Sequence, residues 1–233
     1  RLYQFSKDDD RIRIPEPVFY LHEQRLLMLN ELKGESLLDS IKDGRLEALE
    51  MTAAALAFLH NQDPDSLPRN TPAALSESVT ASSNMITEIA PDYSDKVERI
   101  QSALMKRIRD LSKSEFKFVH GDFYYGQVIV QGERAGIIDF DRSYAGDPDA
   151  DIGNFIAHLR LLRLRGIIEK DDFTTPFIYG YERASGRNID MKKLNFWIAH
   201  SLYQLSVNPF RELEYSWRER TAQILDECYS LLQ

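Results

Sequence analysis

Cysteine is almost missing from this sequence: Cys228 stands alone among 233 residues, so neither an intramolecular disulfide nor a cysteine-rich zinc site can be built. That scarcity fits a reducing compartment, and the cytosol is the expected location. Long apolar runs are also missing. The longest, Ala53 to Leu59, falls far short of a bilayer span, and the charged opening segment does not read as a secretory signal, so no membrane association is expected. Basic residues are outnumbered, 29 Lys and Arg against 37 Asp and Glu, for a formal net charge of −8. A surface built to neutralise nucleic-acid phosphates or anionic lipid is therefore not expected, and small molecules become the expected partners. What is present is an ordinary globular composition, 43% hydrophobic and 28% charged, in a chain long enough to bury roughly 70% of its unfolded surface. The first residue is Arg rather than Met, which reads as a processed product or part of a longer polypeptide.

Hydrophobic periodicity divides the chain. Val18 to Leu21 and Arg25 to Leu29 flank a polar His22-Glu23-Gln24 and predict a hairpin. Leu46, Leu49, Ala53, Leu56 and Leu59 recur at helical spacing; Pro64, Pro68 and Pro72 then mark an exposed loop. Two long helices follow, one with Leu75, Val79, Ile86 and Ile89, the other with Val97, Ile100, Leu104 and Ile108. The period then changes to two: strands are predicted at Phe116 to Val119, Val128 to Val130 and Ala135 to Phe140, with a turn at Gln131 to Arg134. Helical stripes return at Ile152 to Leu162, Leu194 to Leu205 and Trp217 to Cys228. Arg160, Arg163 and Arg165 read as a solvated face, His60 as a packed and satisfied histidine, and Trp197 and Tyr203 as core.

Acidic residues gather at the ends of the short strands: His120-Gly121-Asp122, then four residues and Gln127, then Ile138-Asp139-Phe140-Asp141, then Gly146-Asp147-Pro148-Asp149-Ala150-Asp151. A carboxylate just after a strand can orient a hydroxyl nucleophile, and a second one across a hairpin can hold Mg²⁺ against nucleotide phosphates. This order and spacing resembles the aminoglycoside phosphotransferase and choline kinase superfamily, whose pattern is His-Gly-Asp-x-x-x-x-Asn, a hairpin, Ile-Asp-Phe/Trp and Gly-Asp-Pro-x-x-Asp. Leu27-Met28-Leu29-Asn30-Glu31-Leu32-Lys33-Gly34 resembles the family's interlobe hinge, and Leu56-Ala57-Phe58-Leu59-His60 its Leu-Ala-x-Leu-His helix. The likeness covers about residues 17 to 160.

The resemblance implies a protein-kinase-like α+β fold, mostly its helical C-terminal lobe with a catalytic β-hairpin. Residues 1–32 would be a remnant of the N-terminal lobe and hinge, and 33–233 the catalytic lobe. It implies ATP and Mg²⁺ as cofactors and a small-molecule hydroxyl as acceptor. Asp122 would be the base, His120 and Asp151 would brace its loop, Asp139 and Gln127 would hold the metal, and Met28 to Leu32 would offer backbone groups to adenine. Two departures are visible. Gln127 stands where the family has Asn, and no phosphate-covering loop or strand lysine precedes the hinge, where Lys7 is the only lysine. A kinase-like module that binds without turnover is the alternative those departures motivate. Ile138-Asp139-Phe140-Asp141 also resembles the Asp-x-Asp motif of haloacid dehalogenase-type phosphatases, but those need strands alternating with helices around a parallel sheet, a pattern this sequence lacks. On the acceptor side, Glu212, Glu214, Tyr215 and Trp217 are candidates for holding a hydroxylated, cationic molecule, and Asp141 is a further one.

Overall fold

The computed structural model describes residues 2–7, 9–111, 116–169 and 173–233. A short helix α1 (Leu2–Ser6) and strand β1 (Ile12–Arg13) precede the hairpin β2 (Pro17–Leu21) and β3 (Leu26–Leu29); β4 (Glu35–Ser36), α2 (Leu37–Lys42) and α3 (Leu46–His60) follow. Then come α4 (Pro72–Ile89), α5 (Ser94–Asp110), β5 (Lys117–Val119), β6 (Val128–Gln131), β7 (Arg134–Ile137) and β8 (Tyr144–Gly146). The chain closes with α6 (Asp149–Leu164), α7 (Thr174–Ser185), α8 (Met191–Leu205), α9 (Asn208–Arg211) and α10 (Trp217–Leu232).

Local chemistry sets several boundaries. Thr71 caps α4 by accepting from the Ala74 amide at 3.2 Å, and Pro72 occupies the first turn, where its missing N–H costs nothing. Asp190 caps α8 through the Lys192 and Lys193 amides. The helices bury one contiguous core, with Leu56 and Leu59 of α3, Phe155 and Ile156 of α6 and Leu202 and Tyr203 of α8 all sealed from solvent. Against it lies a four-stranded sheet of order β1-β7-β6-β4, in which β6 and β7 form an antiparallel hairpin pairing Gln131 with Arg134.

Three sequence expectations change in detail. The strand expected to run to Phe140 stops at Ile137, because Asp139 adopts φ of 63° and cannot continue the ladder. The turn contracts to Gly132-Glu133, since both flanking residues pair. Strand β5 does not join this sheet; it pairs antiparallel with β8, and the Pro-rich loop docks beside them, Asn70 donating to the Ala145 carbonyl at 2.9 Å and Ala145 to that of Pro68 at 2.8 Å.

Helix α7 escaped the periodicity reading because Thr174, Thr175, Pro176 and Gly180 all argue against a helix. It forms through tertiary packing: Phe177 and Tyr181 are buried, and a side chain on Gly180 would lie 2.8 Å from the Glu50 Cα, so only glycine lets α7 close on α3. The arginines of α6 are not a solvated face either. Arg163 and Arg160 meet Glu227 of α10, and Arg165 pairs with Glu212 and Glu214, tying α6 to the C-terminal segment.

Candidate active site

Strand β5 delivers the chain into a loop, residues 120–127, that is held from below by a single buried carboxylate. Asp151, in the first turn of α6, accepts the His120 amide at 2.7 Å, the Gly121 amide at 2.9 Å and the His60 Nε2–H at 3.0 Å. The other nitrogen of His60 meets the Tyr181 hydroxyl at 2.7 Å, so α3, α6 and α7 converge on one point under the loop. His120 is fully buried between Phe123 and Phe140. Its Nδ1 accepts from the Asp122 amide at 3.3 Å and its Nε2–H donates to the Ile138 carbonyl at 2.8 Å, which fixes a neutral tautomer bridging the loop to the segment after β7. Asn154, one turn beyond Asp151, donates to the Phe123 carbonyl at 3.1 Å. Gly121 has φ of 82°, and a Cβ there would sit 2.2 Å from the Arg142 carbonyl oxygen, so glycine alone permits the turn that presents Asp122.

Asp122 itself is half-buried. Burial raises its pKa above the ordinary aspartate value, and the Arg142 guanidinium, whose Nε lies 4.0 Å from the carboxylate, opposes that rise. Across the hairpin the left-handed backbone at Asp139 turns an exposed carboxylate toward Gln127, whose carboxamide nitrogen donates to it at 3.1 Å. A half-turn of that carboxamide exchanges its nitrogen for its oxygen and places two oxygen donors side by side. No group of three His, Cys, Asp or Glu side chains poised for a metal occurs among the described residues. The donor set is thus one carboxylate and one amide, which suits Mg²⁺, an ion that takes most of its ligands from water and phosphates.

The two carboxylates look into different cavities. Asp122 lines a cleft of about 590 Å³ together with Tyr124, Tyr125, Arg142, Arg165 and Glu212. Asp139 and Asp141 line a second, more apolar one of about 360 Å³, walled by Leu27, Leu29, Phe118 and α1. Of the hinge candidates, Leu29 reaches that cavity; Met28, Asn30, Glu31 and Leu32 do not line it, the Asn30 amide being engaged by the Glu16 carbonyl at 2.8 Å and Leu32 lying over Gly136. Of the acceptor-side candidates, Glu212 lines the large cleft. Glu214 is taken up by Arg165 and Arg220, Tyr215 is fully exposed, and Trp217 packs edge-on against Phe210.

Residues that the sequence reading did not single out complete the cleft. His158 stacks on Tyr124 at 4.4 Å and is partly buried, and that desolvation, with the nearby Arg165, lowers its pKa to about 4. Asn154 was discoverable, since it follows Asp151 by three positions on one helix and shares its face. Tyr181 carried no local signal.

The sequence model of the phosphotransferase enzyme family matches residues 2–196. No curated protein matches the sequence. Among solved structures, a choline/ethanolamine kinase family protein from Mesorhizobium loti superposes with a TM-score of 0.66 at 15% identity, over 94% of this chain and 73% of that one. A thermostable mutant of aminoglycoside phosphotransferase APH(4)-Ia, in ternary complex with ADP and hygromycin B, gives 0.68 at 14% identity, over 99% and 80%. The gentamicin complex of APH(2″)-IIa gives 0.60 at 18%, over 97% and 77%. These likenesses establish a protein-kinase-like fold.

Proposed function

The chain belongs to the phosphotransferase enzyme family, and from that premise we propose that it moves the γ-phosphoryl group of ATP, with Mg²⁺, to a hydroxyl of a small molecule. The carrying observation is the placement of two carboxylates on one braced loop and hairpin, Asp122 toward the polar cleft and Asp139 toward the apolar cavity. In this reading the acceptor hydroxyl lies against Asp122, which orients it and takes its proton as its oxygen bonds to phosphorus and ADP leaves. The raised pKa of Asp122 makes it a better proton acceptor than a solvated aspartate. Asp139 and Gln127 hold the ion, whose positive charge offsets charge on the transferring phosphates. Leu27, Leu29 and Phe118 supply apolar surface suited to a purine ring. His120 and Asp151 act through the loop as positioning residues. The ADP and hygromycin B bound together in the APH(4)-Ia structure support a nucleotide and a small-molecule acceptor meeting at such a site.

Residues 1–32 serve in this proposal as the nucleotide-side portion and 33–233 as the catalytic lobe. Among the described residues no helix is long and apolar enough to cross a membrane, and the one cysteine is buried and unpaired, which accords with a cytoplasmic setting. A second reading, nucleotide binding without turnover, is favoured by one feature, the longer side chain of Gln127 at the ion site.

Radiolabelled ATP with and without Mg²⁺ separates the two. Phosphoryl transfer that falls about 10²- to 10⁴-fold in Asp122→Asn, with unchanged ATP binding, is the expected result. Wild-type turnover in that variant excludes Asp122 as the base, and Mg²⁺-independent nucleotide binding with no transfer establishes the module.

A further inference from the structure

The whole chain is acidic, yet the cleft beside Asp122 reverses that sign. Three arginines line it, Arg142, Arg165 and Arg211, against two carboxylates, Asp122 and Glu212. Of these, Glu212 is consumed by Arg165, which also takes Glu214, so that pair contributes no free charge. Arg211 is different. Its guanidinium rests at 3.1 Å from the Met85 Sδ, a thioether that neutralises nothing, and among the described residues no carboxylate comes within 4.0 Å of it. Arg142 has only the loose 4.0 Å approach to Asp122 and is largely exposed. His158 in the same wall stays neutral, because burial and the nearby Arg165 lower its pKa to about 4.

Hydrogen-bonding capacity is tilted the same way. A recess of about 210 Å³ adjoins the cleft through Gly121, Arg142, Asn154, Ser201 and Gln204, and Trp197 forms part of its lining. The indole Nε1–H of Trp197 is buried and has no hydrogen-bond partner among the described residues. Apart from Asp122, which the reaction needs as base, the cleft therefore holds a surplus of cationic and donor groups. A polycationic acceptor would meet an unneutralised guanidinium at Arg211 and a loosely paired one at Arg142, and an anionic one would complete them.

We propose that the acceptor is a hydroxylated small-molecule anion, a carboxylate or phosphate ester, whose charged group is held by Arg211 and Arg142 while its hydroxyl lies at Asp122. This rests on the phosphotransferase reading of the same cleft. The expectation from Glu212, Glu214, Tyr215 and Trp217, a cationic acceptor, gives way to it because both glutamates already serve arginines and the two aromatic residues lie outside the cleft.

The test uses four probes on one three-carbon frame: glycerate, glycerol 3-phosphate, glycerol and 2-amino-1,3-propanediol. Binding to the full chain in the presence of MgADP is measured by ligand-detected NMR titration, so the result does not depend on turnover. At least one of the two acids binds about tenfold or more tightly than glycerol and the amine. Which acid does so distinguishes a carboxylate from a phosphate pocket. Arg211→Gln abolishes the preference, whereas Arg109→Gln, on the exposed face of α5, preserves it and so excludes general electrostatic attraction. Equal binding of all four probes, tighter binding of the amine, no detectable binding of either acid, or a preference that survives Arg211→Gln overturns the proposal. Failure of the phosphotransferase reading shows separately, as acid binding without Asp122-dependent transfer from ATP.

Discussion

The loop of residues 120–127 and the β2-β3 hairpin are both short, both turn on a few residues, and are held in opposite ways. The loop is over-determined. Asp151 alone satisfies two of its backbone amides, His120 ties it to Ile138, and Asn154 secures the carbonyl of Phe123. In the hairpin every strand residue is exposed, and eight large apolar side chains from Val18 to Leu29 keep between 41% and 50% of their surface in solvent. Its pairing stands, but no side chain in it is sealed. The difference separates two demands on the fold: a proposed base such as Asp122 must be positioned to within tenths of an ångström, whereas a surface that lines an apolar cavity needs only to be present.

The largest test of that contrast is Asp151→Asn. The side chain is almost completely buried and accepts three hydrogen bonds, so the substitution removes a charge-assisted acceptor from two amides and His60 and turns one oxygen into a donor facing donors. A loss of about 3 kcal/mol in urea unfolding is expected, with kcat falling in step. His60→Phe keeps the ring volume but leaves Tyr181 and Asp151 each short of a partner, and a cost of about 2 kcal/mol is expected. If both variants unfold at the wild-type urea midpoint, the loop is not held from below as described.

A second test is pH. His200 is buried and His158 partly so, and desolvation lowers both pKa values from 6.5 to about 4. In the unfolded chain each takes up a proton near pH 6.5, while the folded protein accepts it only near pH 4, so stability is complete above 6.5 and declines as pH falls between those values. At pH 5 each contributes a loss of about 2 kcal/mol, obtained from 1.36 kcal/mol per unit across 1.5 units. His200→Gln should flatten the pH dependence by its share, read from urea midpoints at pH 7 and pH 5. An unchanged slope would mean that His200 does not stay neutral in the fold.

A third test concerns Asp122, the proposed base. Burial raises the pKa of Asp122 and Arg142 counteracts it. Arg142→Gln removes the counteracting charge, so the carboxylate protonates at higher pH and the acidic limb of kcat/KM moves upward. Arg142→Lys returns it toward wild type. The displacement is small, because Arg142 is 74% exposed and solvent screens it. Increasing salt should therefore narrow the gap between Arg142→Gln and wild type.

How much of this was legible before the structure depends on the range over which each signal acts. Asp122, Asp139 and Asp151 were visible because the pattern around them is local: Asp122 and Asp139 follow apolar strand residues within three positions, and Asp151 closes the Gly-Asp-Pro-x-x-Asp run. The long helices were visible through their stripes. What could not be read was set by contacts distant in sequence. Helix α7 exists against its own propensities because Gly180 fits against Glu50, 130 positions earlier in the chain. Strand β8 has no apolar alternation and is defined by β5 and the Asn70 loop. The arginines of α6 look like a solvated face in sequence because Glu212, Glu214 and Glu227 lie some fifty to sixty-five residues downstream. The pairing of Glu212 and Glu214 with Arg165 was hidden for the same reason, since a carboxylate already claimed by an arginine looks identical in sequence to a free one.

The smallest expected effect lies in the hairpin, and it is the one that most sharpens the comparison. Leu26 and Leu21 pair across β2 and β3, each with more than two fifths of its surface exposed, so Leu26→Thr gives up little buried area and introduces the β-branched geometry that strands favour. A change in unfolding free energy within about 0.5 kcal/mol is expected. Leu29 lines the apolar cavity and Leu26 does not, so Leu29→Thr should weaken ATP binding while Leu26→Thr leaves it unchanged, both measured by calorimetry. A destabilisation by Leu26→Thr as large as that of Asp151→Asn would show that the hairpin is held by packing after all, and equal ATP affinities in the two threonine variants would detach the cavity from the nucleotide.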